Sequence, residues 1–252
     1  MDGIILVNKP PDWTSFDVCA KLRNISKTAK VGHSGTLDPF ATGVLPVFFG
    51  KATKFIKYFL EGDKGYTAEM TLGVVTNTLD LTGTPISLPA SGQARQLPCL
   101  SPHTSMTNVI EEILKKYTGK IKQKPPMFSA KKVNGKKLYE LARKGIEIER
   151  DEKEVTIYSL KLLEMIAPDK IVFEVICSKG TYIRVLASDI GDDLGCGAHL
   201  SKLERFYSHP FDISQTLTIK HLVDLAKIGK LESVLFSPED FGKIIHDRTA
   251  QG

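Results

Sequence analysis

The sequence predicts an α+β fold, with a mixed, largely antiparallel sheet flanked by helices. Three patterns carry this expectation. Residues 64–72 alternate cleanly, with Tyr66, Ala68, Met70 and Leu72 on one side and Thr67, Glu69 and Thr71 on the other, the mark of a strand with one buried face. Residues 155–165 and 171–177 read as two strands of a hairpin-like pair joined by Pro168-Asp169. Val18, Leu22 and Ile25 recur at helical spacing, as do Val109, Ile110, Ile113, Leu114 and Tyr117.

The other elements follow in chain order. Ile4 to Val7 is a short apolar run that reads as a buried strand, and with no basic leader before it we do not read it as a signal peptide. Thr14 with Asp17 has capping-box form, which places a helix over residues 15–27. Residues 51–60 form a short amphipathic helix. Residues 85–106 contain Pro85, Pro89, Pro98 and Pro102 and read as a connector. Pro125-Pro126 forces an extended entry to the next segment, where Leu138, Leu141 and Ala142 ahead of Gly145 predict a short helix and its stop. Two more helices are expected, one from about Val185 to Leu194 before Gly195 and one over residues 221–228.

Composition bounds the class. At 252 residues with 42% hydrophobic side chains, the chain can bury a real core, and 25% charged residues place it among globular proteins. No apolar run approaches the ~20 residues of a membrane helix. Cys19, Cys99, Cys177 and Cys196 contain no Cys-x-x-Cys pair, which argues against zinc and a disulfide framework and suits a reducing cytoplasm. The histidines do not cluster with other ligand types, so no metal is expected. The net charge of +5 is uneven: residues 115–144 hold eleven Lys or Arg against the single acid Glu140, leaving the rest of the chain slightly acidic. Such a localised basic surface is the footprint of a polyanion partner, with a merely solubilising lysine-rich face as the alternative.

Residues 32–47 form the stretch around which the chain is organised. Gly32, Gly35 and Gly43 permit backbone conformations that other residues resist. Asp38 directly precedes Pro39, which pushes it out of the helical region, so its carboxylate sits on a constrained, extended backbone. An ordinary Asp-Pro turn between two core elements is the plainer reading.

The wording Gly-His-Ser-Gly-Thr-Leu-Asp-Pro-Phe-Ala-Thr-Gly-Val-Leu over residues 32–45 resembles the catalytic motif of the TruB-type tRNA pseudouridine synthases. Four further segments resemble the same family in the family's order. They are Lys9-Pro10 through Thr14-Ser15, where Asp12 replaces a common glycine; residues 125–145, with Pro-Pro-x-x-Ser-Ala and Leu-Tyr-x-x-Ala-Arg-x-Gly; Gly180-Thr-Tyr-Ile-Arg184; and residues 195–205. The resemblance implies a pseudouridine-synthase fold whose basic region, about 105–150, is an insertion clasping RNA. It implies a catalytic domain over 1–212 and a short helical extension over 213–252, too short for a complete PUA domain.

The resemblance also implies roles. Asp38 is the essential carboxylate, Tyr66 lies against the target base as a candidate for proton transfer, and Arg184 pairs with the Asp38 carboxylate. Tyr182 and Leu203 pack near the flipped uracil, and His33 stacks in the space the base vacates. Lys9 is a phosphate contact or a support for the site, while Lys131, Lys132, Arg143 and Arg205 contact the RNA backbone. The partner implied is the tRNA T-arm, and the expected protein is a cytoplasmic monomer that needs no cofactor and binds no membrane.

The chemistry agrees with these residue types. Isomerising uridine breaks the N1 glycosidic bond, turns the uracil and joins its C5 to the same sugar carbon. An electron-poor sugar carbon calls for a carboxylate, and the C5 proton calls for an acceptor. An NTPase is disfavoured because no Gly-x-x-x-x-Gly-Lys-(Ser/Thr) is present. A glycosidase would leave the basic segment unexplained. An RNA-binding or tRNA-folding module with little catalysis is the remaining alternative.

Overall fold

Strand β1 (Gly3–Lys9) explains its own composition, because it is buried on both sides. Ile5 and Val7 face one core cluster and Ile4 and Leu6 face another, so an apolar residue is needed at each of these four positions. The computed structural model describes residues 1–86, 106–129, 131–133, 135–166 and 169–237. Most of the expected connector, together with Cys99, Pro168 and the tail after 237, lies outside the described residues.

After β1 come α1 (Ser15–Ser26), β2 (Val31–His33), β3 (Thr42–Phe49), α2 (Ile56–Leu60) and β4 (Lys64–Leu72). They are followed by α3 (Met106–Lys116), β5 (Gly119–Gln123), β6 (Lys132–Val133), β7 (Lys136–Lys137), α4 (Leu138–Ala142), β8 (Lys153–Ile166) and β9 (Lys170–Cys177). Then come α5 (Ile183–Asp193), β10 (Ala198–Ser208), β11 (Phe211–Asp212), β12 (Leu217–Thr218) and α6 (Ile219–Lys227). Contacts divide the chain into two units, residues 1–66 with those from 204 onward and residues 67–203.

In the first unit β1 pairs antiparallel with β3 and parallel with β12. β2 runs antiparallel on β3, and the Glu204-Arg205 part of β10 pairs parallel with Thr42-Gly43. Helix α1 begins at the expected capping box: Thr14 Oγ1 accepts from the Asp17 N–H at 3.0 Å, and Asp17 Oδ2 accepts from the Thr14 N–H at 2.9 Å. It ends at Lys27 in the left-handed region, φ 54°. Val18, Cys19 and Leu22 of α1 and Leu222 of α6 close one face of the sheet. Phe48, Phe59 and Phe211 close the other, with ring centroids 5.2 and 5.6 Å apart. Asp12 takes φ 63°, a conformation that glycine adopts without steric cost.

The second unit holds a β4–β9–β8–β5 sheet with α3 against β8 and α5 beside α3. The expected hairpin is β8 with β9, and β5 adds antiparallel to β8. The basic segment begins on α3 and β5 and continues through the small β6–β7 hairpin and α4. Glu69 departs from the simple alternation expected of β4. It is buried, because Lys170 at 3.0 Å, Lys202 at 2.7 Å and the Ser201 hydroxyl at 2.9 Å all hold its carboxylate. Burial works to raise its pKa, yet these donors outweigh it and pull it down to about 2.

Strands β3 and β10 were not legible. Pro46 in β3 offers no N–H to a ladder, which masks a strand, yet its carbonyl still accepts from the Ser34 N–H at 3.1 Å. Cys19, Cys177 and Cys196 are buried and form no disulfide among the described residues, and burial pushes the Cys19 thiol up to about 11. Among the described residues no helix is long and apolar enough to cross a membrane.

Candidate active site

In the first unit the segment that bears Asp38 is pinned along its main chain. The buried Ser15 hydroxyl, at the start of α1, accepts from the Leu37 N–H at 3.0 Å. Arg205 Nη2 donates to the Gly35 carbonyl at 2.9 Å, and its Nε donates to the Val44 carbonyl at 2.8 Å. Lys9 Nζ donates to the carbonyls of Pro39 at 2.8 Å, Pro10 at 2.8 Å and Trp13 at 2.5 Å. The Asp38 carbonyl itself accepts from the Ala41 N–H at 3.1 Å, closing the turn. Gly43 has to be glycine: its φ is +103°, and a Cβ there would collide with the Arg205 main chain paired to it. A carboxylate on so constrained a backbone does not have to be ordered when a substrate arrives.

These contacts revise the expectation for Arg205 and select one of the two stated for Lys9. Arg205 is 1% exposed and Lys9 is fully buried, so neither presents its charge to a phosphate. Each spends its donors on carbonyls of the loop that bears Asp38 and its neighbours, which makes Lys9 a support for that loop. Burial pulls the Lys9 pKa down to about 8, against the opposing pull of the Asp38 carboxylate nearby.

His33, at the end of β2, is half-buried, and its Nδ1 is buried without a hydrogen-bond partner. Burial first, and then the charge of Arg205, hold the imidazole below its ordinary 6.5. The unfolded chain therefore binds a proton that the folded chain resists, so this residue makes stability fall as pH drops through 6.5 and below. His33→Gln is expected to flatten the fall in Tm between about pH 7 and pH 5; an acid limb unchanged by the substitution would show that His33 is not its source. Tyr66, on β4, is buried.

In the second unit Arg184 occupies the first turn of α5 and is 4% exposed. Its Nη1 lies 3.2 Å from Asp80 Oδ2 and donates to the Thr78 carbonyl at 2.8 Å, while Nη2 donates to the Phe128 carbonyl at 2.9 Å. Asp80 is equally buried, and its other oxygen accepts from the Thr78 and Thr82 hydroxyls and the Thr82 N–H. One guanidinium therefore joins the 76–83 loop to the segment after β5. The expected partner of Arg184, Asp38, belongs to the first unit. Tyr182 is half-buried at the N-cap of α5, and Leu203, on β10, is buried.

Beside this cluster the second unit has a groove of about 330 Å³ whose walls include Leu79, Phe128, Ile146 and Arg150. Of the expected RNA contacts, Lys131 is half-buried and its pKa is lowered by burial and then by Lys153. Lys132 is in β6. Arg143 is exposed, with its guanidinium 5.5 Å over the Tyr139 ring. Sequence reasoning missed Ser15, Asp80 and Gln123. Asp80 did carry a signal, since a carboxylate among Thr76, Thr78 and Thr82 is surrounded by donors of its own loop. Among the described residues, no group of three or more His, Cys, Asp or Glu is placed to hold a metal.

Residues 23–183 match the family model for the N-terminal domain of TruB family pseudouridylate synthases, and residues 184–237 match that for the C-terminal domain of tRNA pseudouridylate synthase B. The chain is 44% identical over 254 residues to tRNA pseudouridine synthase B of Geobacter sulfurreducens, covering 100% of this chain and 80% of the relative. It is 46% identical over 222 residues to tRNA pseudouridine synthase B of Clostridium kluyveri, covering 88% and 72% respectively. Among solved structures it resembles a chain of a Cbf5-Nop10-Gar1 complex, with a TM-score of 0.70 and 30% identity over 94% of this chain and 60% of that one. It also resembles a chain of an H/ACA RNP bound to a substrate RNA containing 2′-deoxyuridine, with a TM-score of 0.63 and 28% identity over 92% and 55%. The chain thus spans less than two thirds of these two structural neighbours. With two family models covering residues 23–237 and curated relatives matched along most of their length, this chain belongs to the TruB family of pseudouridine synthases.

Proposed function

We propose that this enzyme isomerises the T-loop uridine known as position 55 of tRNA to pseudouridine, with Asp38 as the essential carboxylate. The observation that carries the assignment is the pinned main chain around Asp38, which presents one carboxylate in a fixed attitude. The target base must first be extruded from the RNA, at a cost of a few kcal/mol. His33 stacks in the vacated space, and its neutral imidazole suits that role. The N1–C1′ bond then breaks, Asp38 stabilises or traps the electron-poor C1′, the uracil turns, and C5 bonds to C1′. The proton leaving C5 is matched by one gained at N1, so the reaction consumes no redox partner. Tyr66 is assigned to that proton, Tyr182 and Leu203 to the walls around the uracil, and Arg184 to holding the Asp38 carboxylate ionised.

The assigned partner is the T-arm stem-loop, bound by a monomer in the cytoplasm. The relatives named tRNA pseudouridine synthase B support the tRNA assignment, and the charge of segment 115–144 supports a phosphate-rich partner. Removing Lys131 and Lys132 together should weaken RNA binding and lower the magnitude of its log–log salt slope by roughly 1.5, two fewer counterions being released. An unchanged slope rules the pair out as phosphate contacts. The function itself is tested with a synthetic T-arm stem-loop and no added cofactor, locating pseudouridine by cyanoethylation and mass spectrometry. Modification of a single loop uridine supports the reading. Modification of full-length tRNA alone extends recognition beyond the T-arm, and silence on both substrates moves the reading to an RNA-binding or folding module.

A further inference from the structure

We propose that Gln123 is a positioning residue that fixes the main chain of Tyr182. This assignment rests on the proposed role of Tyr182 at the uracil. Gln123 is the last residue of β5 and is 2% exposed. Its Oε1 accepts from the Tyr182 N–H at 3.0 Å, and its Nε2 faces the Tyr182 carbonyl at 3.3 Å. One buried side chain thus engages both main-chain polar groups of one residue, as a neighbouring strand would.

Tyr182 needs such a partner because of where it lies. It is the N-cap of α5, with an extended backbone at φ −99° and ψ 105°, and its side chain makes no capping hydrogen bond. Its carbonyl already accepts from Leu186 at 3.1 Å, the first bond of the helix. The amide of Gln123 holds the residue at this junction between extended and helical backbone. That sets the direction of the Cα–Cβ bond and so the position of the phenol. An ionised Glu would oppose the Tyr182 carbonyl, and an apolar side chain would leave two buried groups unpaired.

The position of Gln123 adds a second consequence. It is the last sheet residue before Lys124-Pro125-Pro126, where the chain leaves β5 for the later part of the basic segment, which bears Lys131, Lys132 and Arg143. Two residues beyond Tyr182, Arg184 grips the Phe128 carbonyl of the same segment. Tyr182 and Arg184 are therefore both fastened to the root of the segment assigned to the RNA backbone. A displacement of that root on RNA binding is transmitted to the residue assigned to the base.

The test is a double-mutant cycle on the T-arm substrate. Gln123→Met conserves length and removes both hydrogen bonds. It is expected to lower kcat about tenfold with KM within about twofold, a misplacement effect rather than a loss of binding. In a Tyr182→Ala background the same change should cost nothing further, because the residue being positioned has lost its ring. Multiplicative losses in the double variant, or full kcat in Gln123→Met, overturn the assignment. Should Gln123→Met fail to fold, Gln123→Glu keeps the shape and serves alone. Its activity relative to the unmodified enzyme should recover as pH falls from about 8 to 5.5, since a protonated carboxyl can again donate to the Tyr182 carbonyl. A ratio that stays flat over that range counts against the assignment. Absence of isomerisation by the unmodified enzyme overturns the functional reading and this one with it, whereas an active enzyme with indifferent Gln123 variants overturns this one alone.

Discussion

Asp38→Asn is expected to lower isomerisation at least about a thousandfold while T-arm RNA binds within a few-fold of the unmodified affinity. The substitution is nearly isosteric, and main-chain contacts at Gly35, Leu37 and Pro39 pin the loop independently of the charge. The loop should therefore keep its shape, and the loss should appear in kcat. Removing the charge eliminates the group that stabilises or traps the sugar carbon, which an amide cannot replace. The measurement pairs single-turnover pseudouridine formation with a binding titration. Turnover within tenfold of the unmodified enzyme would sink the catalytic assignment of Asp38. A collapse of binding alongside activity would mean that the charge acts in folding the loop.

Asp80→Ala is expected to be the most destabilising single change, costing about 3–5 kcal/mol, because it strands a buried guanidinium. Arg184 and Asp80 have side chains only 5% and 6% exposed and lie 3.2 Å apart, so neither charge has water to fall back on. The substitution also leaves the Thr82 hydroxyl and N–H without the carboxylate that accepts from them, and the Thr78 hydroxyl with only the longer contact to the Asp80 carbonyl at 3.3 Å. In a chain of this size the Tm should fall by roughly 10 °C. Asp80→Asn retains an acceptor for the threonines and should be milder. Activity should drop in both variants, since the 76–83 loop and the Phe128 segment are joined through Arg184. A Tm within about 2 °C of the unmodified protein in Asp80→Ala would show that the pair is solvated in solution and contributes little.

Much of the fold followed from local patterns. The capping box at Thr14 and Asp17 forms where its spacing placed it, and the alternation from Lys64 to Leu72 is the strand β4. The pair expected over 155–165 and 171–177 is β8 with β9. What local patterns hid was β3, whose Pro46 is a poor strand signal, and β10, whose residues read as a motif rather than as a strand. Both are held by neighbours distant in sequence, which a local period does not register.

The sequence by itself determined which residues are candidates for chemistry and what reaction they suit. Asp38 before a proline, three glycines around it and a concentrated basic segment are statements about residue type and order, and order alone supplies them. Only the tertiary structure decided which way the charged side chains turn. Lys9 reaches a carbonyl 30 residues away and Arg205 one 170 residues away, and both serve as supports although cations default to the surface. Arg184 takes a carbonyl 106 residues away and a carboxylate in the same loop. Glu69 is buried because Lys170 and Lys202, some hundred residues on, meet it. A buried charge is tolerated only where partners converge on it, and that convergence is a property of three-dimensional neighbours rather than of any window of sequence.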